Sequence, residues 1–142
     1  MDFKTNHLMS FKKYFLLSYA FIFLFISGCS TVEKPDLGTF DSELFISDRN
    51  ACKEKRTSQI DELRSMKDKI LGLSETQIKE GFGRYDYQIL DRRGEKIIVF
   101  FLEKGPQCEQ IQESSDALVM ELHINAVGLV KELDFRRGNP AE

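Results

Sequence analysis

Cys29 is the residue of this chain whose setting most clearly suggests covalent chemistry. It follows Ile26, Ser27 and Gly28, and one aliphatic residue with two small residues before a cysteine is the order found in a bacterial lipobox. Small residues suit a peptidase that must take an extended backbone into a narrow site. The thiol can accept a diacylglyceryl group through a thioether bond. The pattern therefore predicts cleavage between Gly28 and Cys29 and lipidation of Cys29.

Residues 1–28 have the three zones of a secretory signal peptide: early lysines, an apolar run, and small residues at the end. The apolar core from Phe15 to Ile26 has 12 residues, whereas a helix that spans a bilayer needs about 20. One acyl chain holds a protein only weakly on a membrane, and two or more anchor it stably. We therefore expect attachment to the lipid bilayer through acylated Cys29. The alternatives are an uncleaved signal anchor and a free Cys29 beyond an ordinary cleavage site.

The other two cysteines, Cys52 and Cys108, are candidates for a disulfide bond. An exported chain matures in an oxidising compartment, where a pair of thiols is more often bridged than catalytic. In the chain-entropy model, closing a loop of this length stabilises a domain by roughly 4 kcal/mol. The alternative is two buried, reduced thiols that never meet. The sequence favours the bridge.

Catalytic and metal-binding patterns are sparse after the signal peptide. His123 is the only histidine beyond residue 28, and it falls on the polar side of an alternating stretch. Gly81 and Gly83 follow a helical pattern, whereas a phosphate-binding loop precedes a helix. No serine lies in a Gly-x-Ser-x-Gly motif. We therefore predict that the protein is not an enzyme and has no metal site, no cofactor and no small-molecule substrate.

The charge of the chain argues against nucleic acid as a partner. The formal charge is −3 over 142 residues. Without residues 1–28, which contain three lysines and one aspartate, 17 basic and 22 acidic side chains remain, a formal charge of −5 over 114 residues. Nucleic-acid binding depends on basic groups that neutralise phosphates.

The size of the chain corresponds to one small domain.

Two helices should precede the sheet. Residues 29–47 are predicted to form the lipidated N-terminus and a tether, of which 40–46 are apolar enough to dock on the domain or on a partner, the domain being the more favoured of the two. Residues 48–71 have apolar side chains at helical spacing. The stretch GLSETQIKEGFG at 72–83 combines a capping box, a hydrophobic staple and terminal glycines, so it predicts a short second helix.

The remainder of the chain is typical of strands. Residues 85–90, 96–102, 118–124 and 129–135 have strand-like patterns, separated by turns and by a loop at 103–116. The unbroken apolar run at 97–101 indicates a central strand that is covered on both faces, or one face that contacts a partner. Helices followed by strands predict an α+β fold, with two N-terminal helices packed on a three- to four-stranded antiparallel sheet in a two-layer sandwich.

Three segments together resemble a known family. GLSETQIKEGFG (72–83), IIVFF (97–101) and LVMELHINAVGLVKEL (118–133) are similar, in order and spacing, to small outer-membrane-assembly lipoproteins of the SmpA/OmlA (BamE-like) type. That family's fold, shared with β-lactamase-inhibitor-type domains, is two helices on an antiparallel sheet. With residues 1–28 predicted as the signal peptide and 29–47 as the lipidated N-terminus and tether, the resemblance implies that 48–138 form the SmpA/OmlA-like domain.

The resemblance also implies a function. It suggests a non-catalytic protein-interaction module in outer-membrane assembly or envelope maintenance, with an envelope protein as partner. The protein would then lie in the bacterial cell envelope, anchored by lipid to the outer membrane and facing the periplasm. The same fold also occurs in inhibitors, so the alternative is a periplasmic inhibitor of a secreted enzyme such as a lysozyme or β-lactamase. Aromatic side chains exposed on the sheet, such as Tyr85, Tyr87 or Phe101, would favour the inhibitor.

Overall fold

A computed structural model describes residues 32–91, 94–110 and 114–138. The predicted signal peptide and the lipidation site at Cys29 lie outside these ranges. The described α-helices are α1 (Ser42–Ser47), α2 (Ile60–Ser65), α3 (Lys67–Ile70) and α4 (Glu75–Phe82). The strands are β1 (Tyr87–Leu90), β2 (Lys96–Phe101), β3 (Leu118–Ile124) and β4 (Val130–Arg137). Three short 3-10 segments lie at Arg49–Ala51, Arg56–Gln59 and Pro106–Cys108. Within the described ranges, every helix is too short or too polar to cross a bilayer.

The four strands form one antiparallel sheet in the order β1-β2-β3-β4. This confirms the predicted α+β class. One irregularity lies between β3 and β4, where Ile124 pairs with Val130 and His123 pairs with Glu132, so that Lys131 has no counterpart. A bulge of this kind adds one residue to one strand. The bulge explains why Lys131 interrupts the apolar alternation of β4. The ammonium group of Lys131 pairs with the Glu95 carboxylate.

The helices cover one face of the sheet, which we call the covered face. Side chains from β2, β3 and β4 alternate towards the helices, among them Ile98, Phe100, Met120, Leu122 and Leu133, all with 0% exposure. They pack in one cluster with apolar side chains from all four helices. Burying an aliphatic or aromatic side chain of this size contributes about 1.5–3 kcal/mol. This cluster is the main core of the fold.

The segment predicted as one helix over 48–71 is instead broken into short pieces. Asn50, Ala51 and Glu54 have positive φ angles near 59°, which an α-helix of L-residues does not accommodate. The buried carboxylate of Asp48 accepts hydrogen bonds from the backbone N–H groups of Lys53, Lys55 and Arg56, at 2.7, 2.7 and 3.1 Å. The Asp48 carboxylate thus provides acceptors that helical hydrogen bonds would otherwise supply.

The predicted second helix is confirmed as α4. The Ser74 hydroxyl accepts from the N–H of Gln77 at 3.3 Å, and the Gln77 side chain accepts from the N–H of Ser74 at 3.0 Å, which completes the capping box. Gly83 ends the helix with φ of 76°. Gly81 was also predicted to end the helix, but it lies within it, and a Cβ there would approach the Leu37 side chain to 2.8 Å. Close packing is the reason for glycine at position 81.

Residues 40–46 pack on the domain itself. Phe40 and Phe45 belong to the main core, with 7% and 0% exposure, and Leu37 joins them at 7%. The rings of Phe40, Phe45, Phe82 and Phe100 contact one another at centroid distances of 5.2–6.0 Å. The folded unit therefore begins upstream of residue 48, and only the first part of the predicted tether at 29–47 is free of core packing within the described residues.

Candidate functional site

The second face of the sheet consists of the side chains that point away from the helices. Its apolar half lies on β1, β2 and the start of β3, and comprises Tyr87, Ile89, Ile97, Val99, Phe101 and Val119. Its polar half lies on β3 and β4, and comprises Glu121, His123, Glu132, Asp134 and Arg136. Strand residues alternate between the two faces, so this division follows from the register.

Few described residues from outside the sheet pack on the apolar half. Val99 and Val119 have 0% exposure, yet the only described residues beyond the strands in their cluster are Ala51 and Ala117. The cluster contains no residue of α1 to α4. The described helices therefore cover one face of the sheet only. The β2 and β3 side chains of the apolar half are nevertheless buried in the chain itself, with Ile97 and Phe101 at 3% exposure. Only Tyr87 and Ile89, on β1, are half-buried.

A disulfide bond holds the segment that carries Ala51. Cys52 and Cys108 are bridged, with Cα atoms 5.6 Å apart, and this confirms the predicted pairing. The Gln107 side chain donates to the carbonyl groups of Asn50 and Glu103 at 3.3 and 2.8 Å. These contacts fix the chain on both sides of the bridge. The disulfide thus positions one end of the second face.

A buried ion pair fixes the adjacent end of β2. The Arg56 guanidinium pairs with the Asp86 carboxylate, with side-chain exposures of 1% and 0%. Arg56 also donates to the carbonyl group of Phe101 at 2.9 Å, and Asp86 accepts from the N–H of Phe101 at 3.0 Å. The guanidinium lies 4.2 Å from the ring centroid of Phe45. One network therefore ties the covered face, through Phe45, to the second face, through Phe101.

Glu121 is a buried acid at the boundary between the two halves. Its residue exposure is 1%, and its Oε1 atom has no hydrogen-bond partner among the described residues. Burial raises the pKa of the Glu121 carboxyl, while Arg136 and His123 act in the opposite direction. The Arg136 guanidinium is 3.5 Å from Oε2. Because a buried charge without full pairing is costly, this carboxylate is the most unusual group of the second face.

The remaining polar groups cluster beside Glu121. His123 pairs with Glu132 and Glu121 pairs with Asp134 across β3 and β4. One potential ligand atom from each of His123, Glu132 and Asp134 lies within 4.8 Å of the others. The His123 Nε2 atom is 3.9 Å from Oδ2 of Asp134. The register therefore brings a histidine and three carboxylates onto one part of the sheet.

Of the residues singled out by sequence, the structure joins Cys52 to Cys108 and places His123 on the polar half of the second face. Gly28 and Cys29 lie outside the described residues. Sequence reasoning missed the grouping of Glu121, Glu132 and Asp134. Alternation in β3 already places Glu121 and His123 on one side, but the bulge at Lys131 decides which residues of β4 face them.

Comparison of this chain with protein-family models, with curated proteins and with solved structures finds no match.

Proposed function

We propose that this chain is a membrane-anchored bacterial lipoprotein whose domain is a non-catalytic protein-interaction module in outer-membrane assembly or envelope maintenance. The observation that carries the proposal is the second face of the sheet. Tyr87 and Ile89, at the β1 edge of its apolar half, are half-buried, and its polar half keeps Glu132 and Arg136 exposed. A partner that docks on these accessible side chains would gain hydrophobic free energy at Tyr87 and Ile89.

The proposed partner is a protein of the cell envelope, and the proposed anchor keeps the domain close to it. The chain from Cys29 to Leu37, the first core residue, has eight peptide steps. Fully extended, these reach at most about 28 Å. A lipid attached to Cys29 would hold the domain within that distance of the bilayer, on the periplasmic side of the outer membrane. The segment resemblance to SmpA/OmlA (BamE-like) lipoproteins favours the same assignment.

The polar half adds a preference for the partner's charge. Among the described strand residues of this half, Glu121, Glu132 and Asp134 are acidic and Arg136 is the one cation, 3.5 Å from Glu121. A complementary surface would be apolar at its centre and basic at one edge. Charge complementarity of this kind fixes orientation and speeds association more than it raises affinity.

Photo-cross-linking in cells tests the proposal. A photoreactive phenylalanine analogue replaces Tyr87, which is half-buried on the second face, and in a matched control it replaces Glu80, which is exposed on α4. We expect one discrete adduct with an envelope protein at position 87 and none at position 80. In a Cys29→Ser variant, which cannot be lipidated, the adduct should be lost. A correctly localised protein without an adduct at position 87 or at neighbouring Ile89 would contradict the proposal.

Inhibition of a secreted lysozyme or β-lactamase is the alternative function. It draws on exposed aromatic side chains, yet Phe101 has 3% exposure and Tyr85 and Tyr87 are half-buried. Half-buried Tyr87 is equally available to either kind of partner, and it is the segment resemblance that favours the interaction module. Purified protein that slows such an enzyme at micromolar concentration would reverse this order.

A further inference from the structure

The polar half of the second face has the donor set of a metal site. His123 offers an imidazole nitrogen, and Glu132 and Asp134 each offer a carboxylate oxygen, all within 4.8 Å of one another. Imidazole with carboxylates suits Zn²⁺ and other divalent transition metals. Ligand atoms at about 2.1 Å from a tetrahedral ion lie roughly 3.4 Å apart. The three atoms must approach by about 1 Å, which rotation of the exposed Glu132 side chain allows.

Glu121 provides a second, independent observation that favours a cation at this place. Its Oε1 atom is buried and has no hydrogen-bond partner in the described part of the chain, while Oε2 faces Arg136. Glu121 lies directly opposite Asp134 and two residues before His123 on the same face. A buried carboxylate oxygen normally accepts a hydrogen bond or binds a cation. By strand register, Glu121 therefore shares one part of the second face with the three candidate ligands.

We propose that His123, Glu132 and Asp134 bind a divalent transition-metal ion beside the buried carboxylate of Glu121. The ion neutralises carboxylates that the register of β3 and β4 places side by side, and it links these two strands. His123 contributes one ring nitrogen, as imidazole does at most protein metal sites. The site goes beyond the proposed interaction function, since it needs no partner to form.

Zinc titration of the full chain tests this site. The chain carries Cys29→Ser, so that a free thiol cannot bind the ion, and is purified in detergent, treated with a chelator and titrated with Zn²⁺ by calorimetry. We expect one ion per chain. His123→Gln should weaken binding by roughly 10- to 100-fold or more, since even changes outside the ligand shell have effects of that size. Glu132→Gln, Asp134→Asn and Glu121→Gln should each weaken it as well.

Two matched controls make the titration specific. His7→Gln removes the other histidine of the chain, and Glu80→Gln removes an exposed carboxylate of α4. Both should leave zinc binding unchanged. A second readout is the NMR signal of the His123 ring, which should shift at one equivalent of Zn²⁺ while that of His7 does not. Circular dichroism verifies that each variant is folded.

Three results would overturn the metal site: no binding up to millimolar Zn²⁺, binding that persists in His123→Gln, or binding that disappears in His7→Gln. The experiment contains no partner protein. Its failure would therefore leave the interaction proposal standing, and absence of a cross-link at position 87 would leave the metal site standing.

Discussion

The two faces of the sheet are built from alternate residues of the same strands, yet their surroundings differ. On the covered face, Ile98 and Phe100 pack against side chains from four helices. On the second face, Ile97 and Val99 belong to a smaller apolar cluster, whose described members from outside the strands are Ala51 and Ala117. All four helices come from one continuous stretch, Ser42–Phe82, that precedes the sheet. A single stretch of this length supplies one layer, and all four described helices contribute to the core of the covered face.

The polar groups of the two faces also differ. At the edge of the covered face, buried Arg56 and Asp86 satisfy each other and the backbone of Phe101. On the second face, buried Glu121 keeps one oxygen without a partner among the described residues. The helix layer also holds a buried acceptor without a partner among the described residues, the Oε1 atom of Gln59, so the difference between the faces is one of charge: the unpaired oxygen of the second face belongs to a carboxylate. A buried charge is more costly than a buried amide, which makes Glu121 the less stable of the two arrangements.

Removing Arg56 should have the largest effect, because its side chain connects the two faces. Arg56→Met leaves the buried carboxylate of Asp86 without its ion pair. We expect a loss of about 3–5 kcal/mol in the free energy of unfolding, measured by urea denaturation. Arg64→Met is the matched control, since Arg64 is exposed and its guanidinium lies over the Phe135 ring, 5.4 Å from the centroid. Its loss should stay below about 1 kcal/mol. Equal losses would mean that the network does not join the faces.

Adjacent isoleucines offer the sharpest comparison of the faces. Ile98→Ala, on the covered face, should lower the free energy of unfolding by about 2–5 kcal/mol. Ile97→Ala, on the second face, should cost a similar amount, because Ile97 has 3% exposure in the chain itself. Ile97 pairs with Ile89 of β1, so Ile97→Ala, unlike Ile98→Ala, should also weaken the adduct at position 87. An adduct that both variants weaken equally would remove the distinction between the faces.

Glu121→Gln should produce the smallest change, and one of opposite sign. The raised pKa of the Glu121 carboxyl means that its charged form opposes folding above that pKa. With a chelator present, the variant should be more stable than the unchanged protein by about 1 kcal/mol at neutral pH. The difference should shrink as the pH falls through the raised pKa towards the ordinary value of 4.5. A difference independent of pH would show that the carboxylate is not destabilised by burial.

Sequence patterns predicted the elements that are stabilised by contacts between residues close together in the chain. The capping box of α4 needs only Ser74 and Gln77, three residues apart, and the alternation of β3 needs only its own side chains. The break in the segment over 48–71 could not be predicted in the same way. It depends on how the Asp48 carboxylate and the disulfide hold the chain near Asn50, and helical spacing carries no information about such contacts.

Local sequence patterns also could not predict which side chains come together at the candidate site. The sequence alone suggested export, lipidation at Cys29, a bridge between Cys52 and Cys108, and an α+β fold, because these depend on composition, short motifs and periodicity. Of these, the structure bears out the bridge and the fold. Only the tertiary structure decided that His123, Glu121, Glu132 and Asp134 meet beside an apolar half-face. Strand pairing and the extra residue at Lys131 set that neighbourhood, and a shift of one residue in register would send β4 side chains to the opposite face.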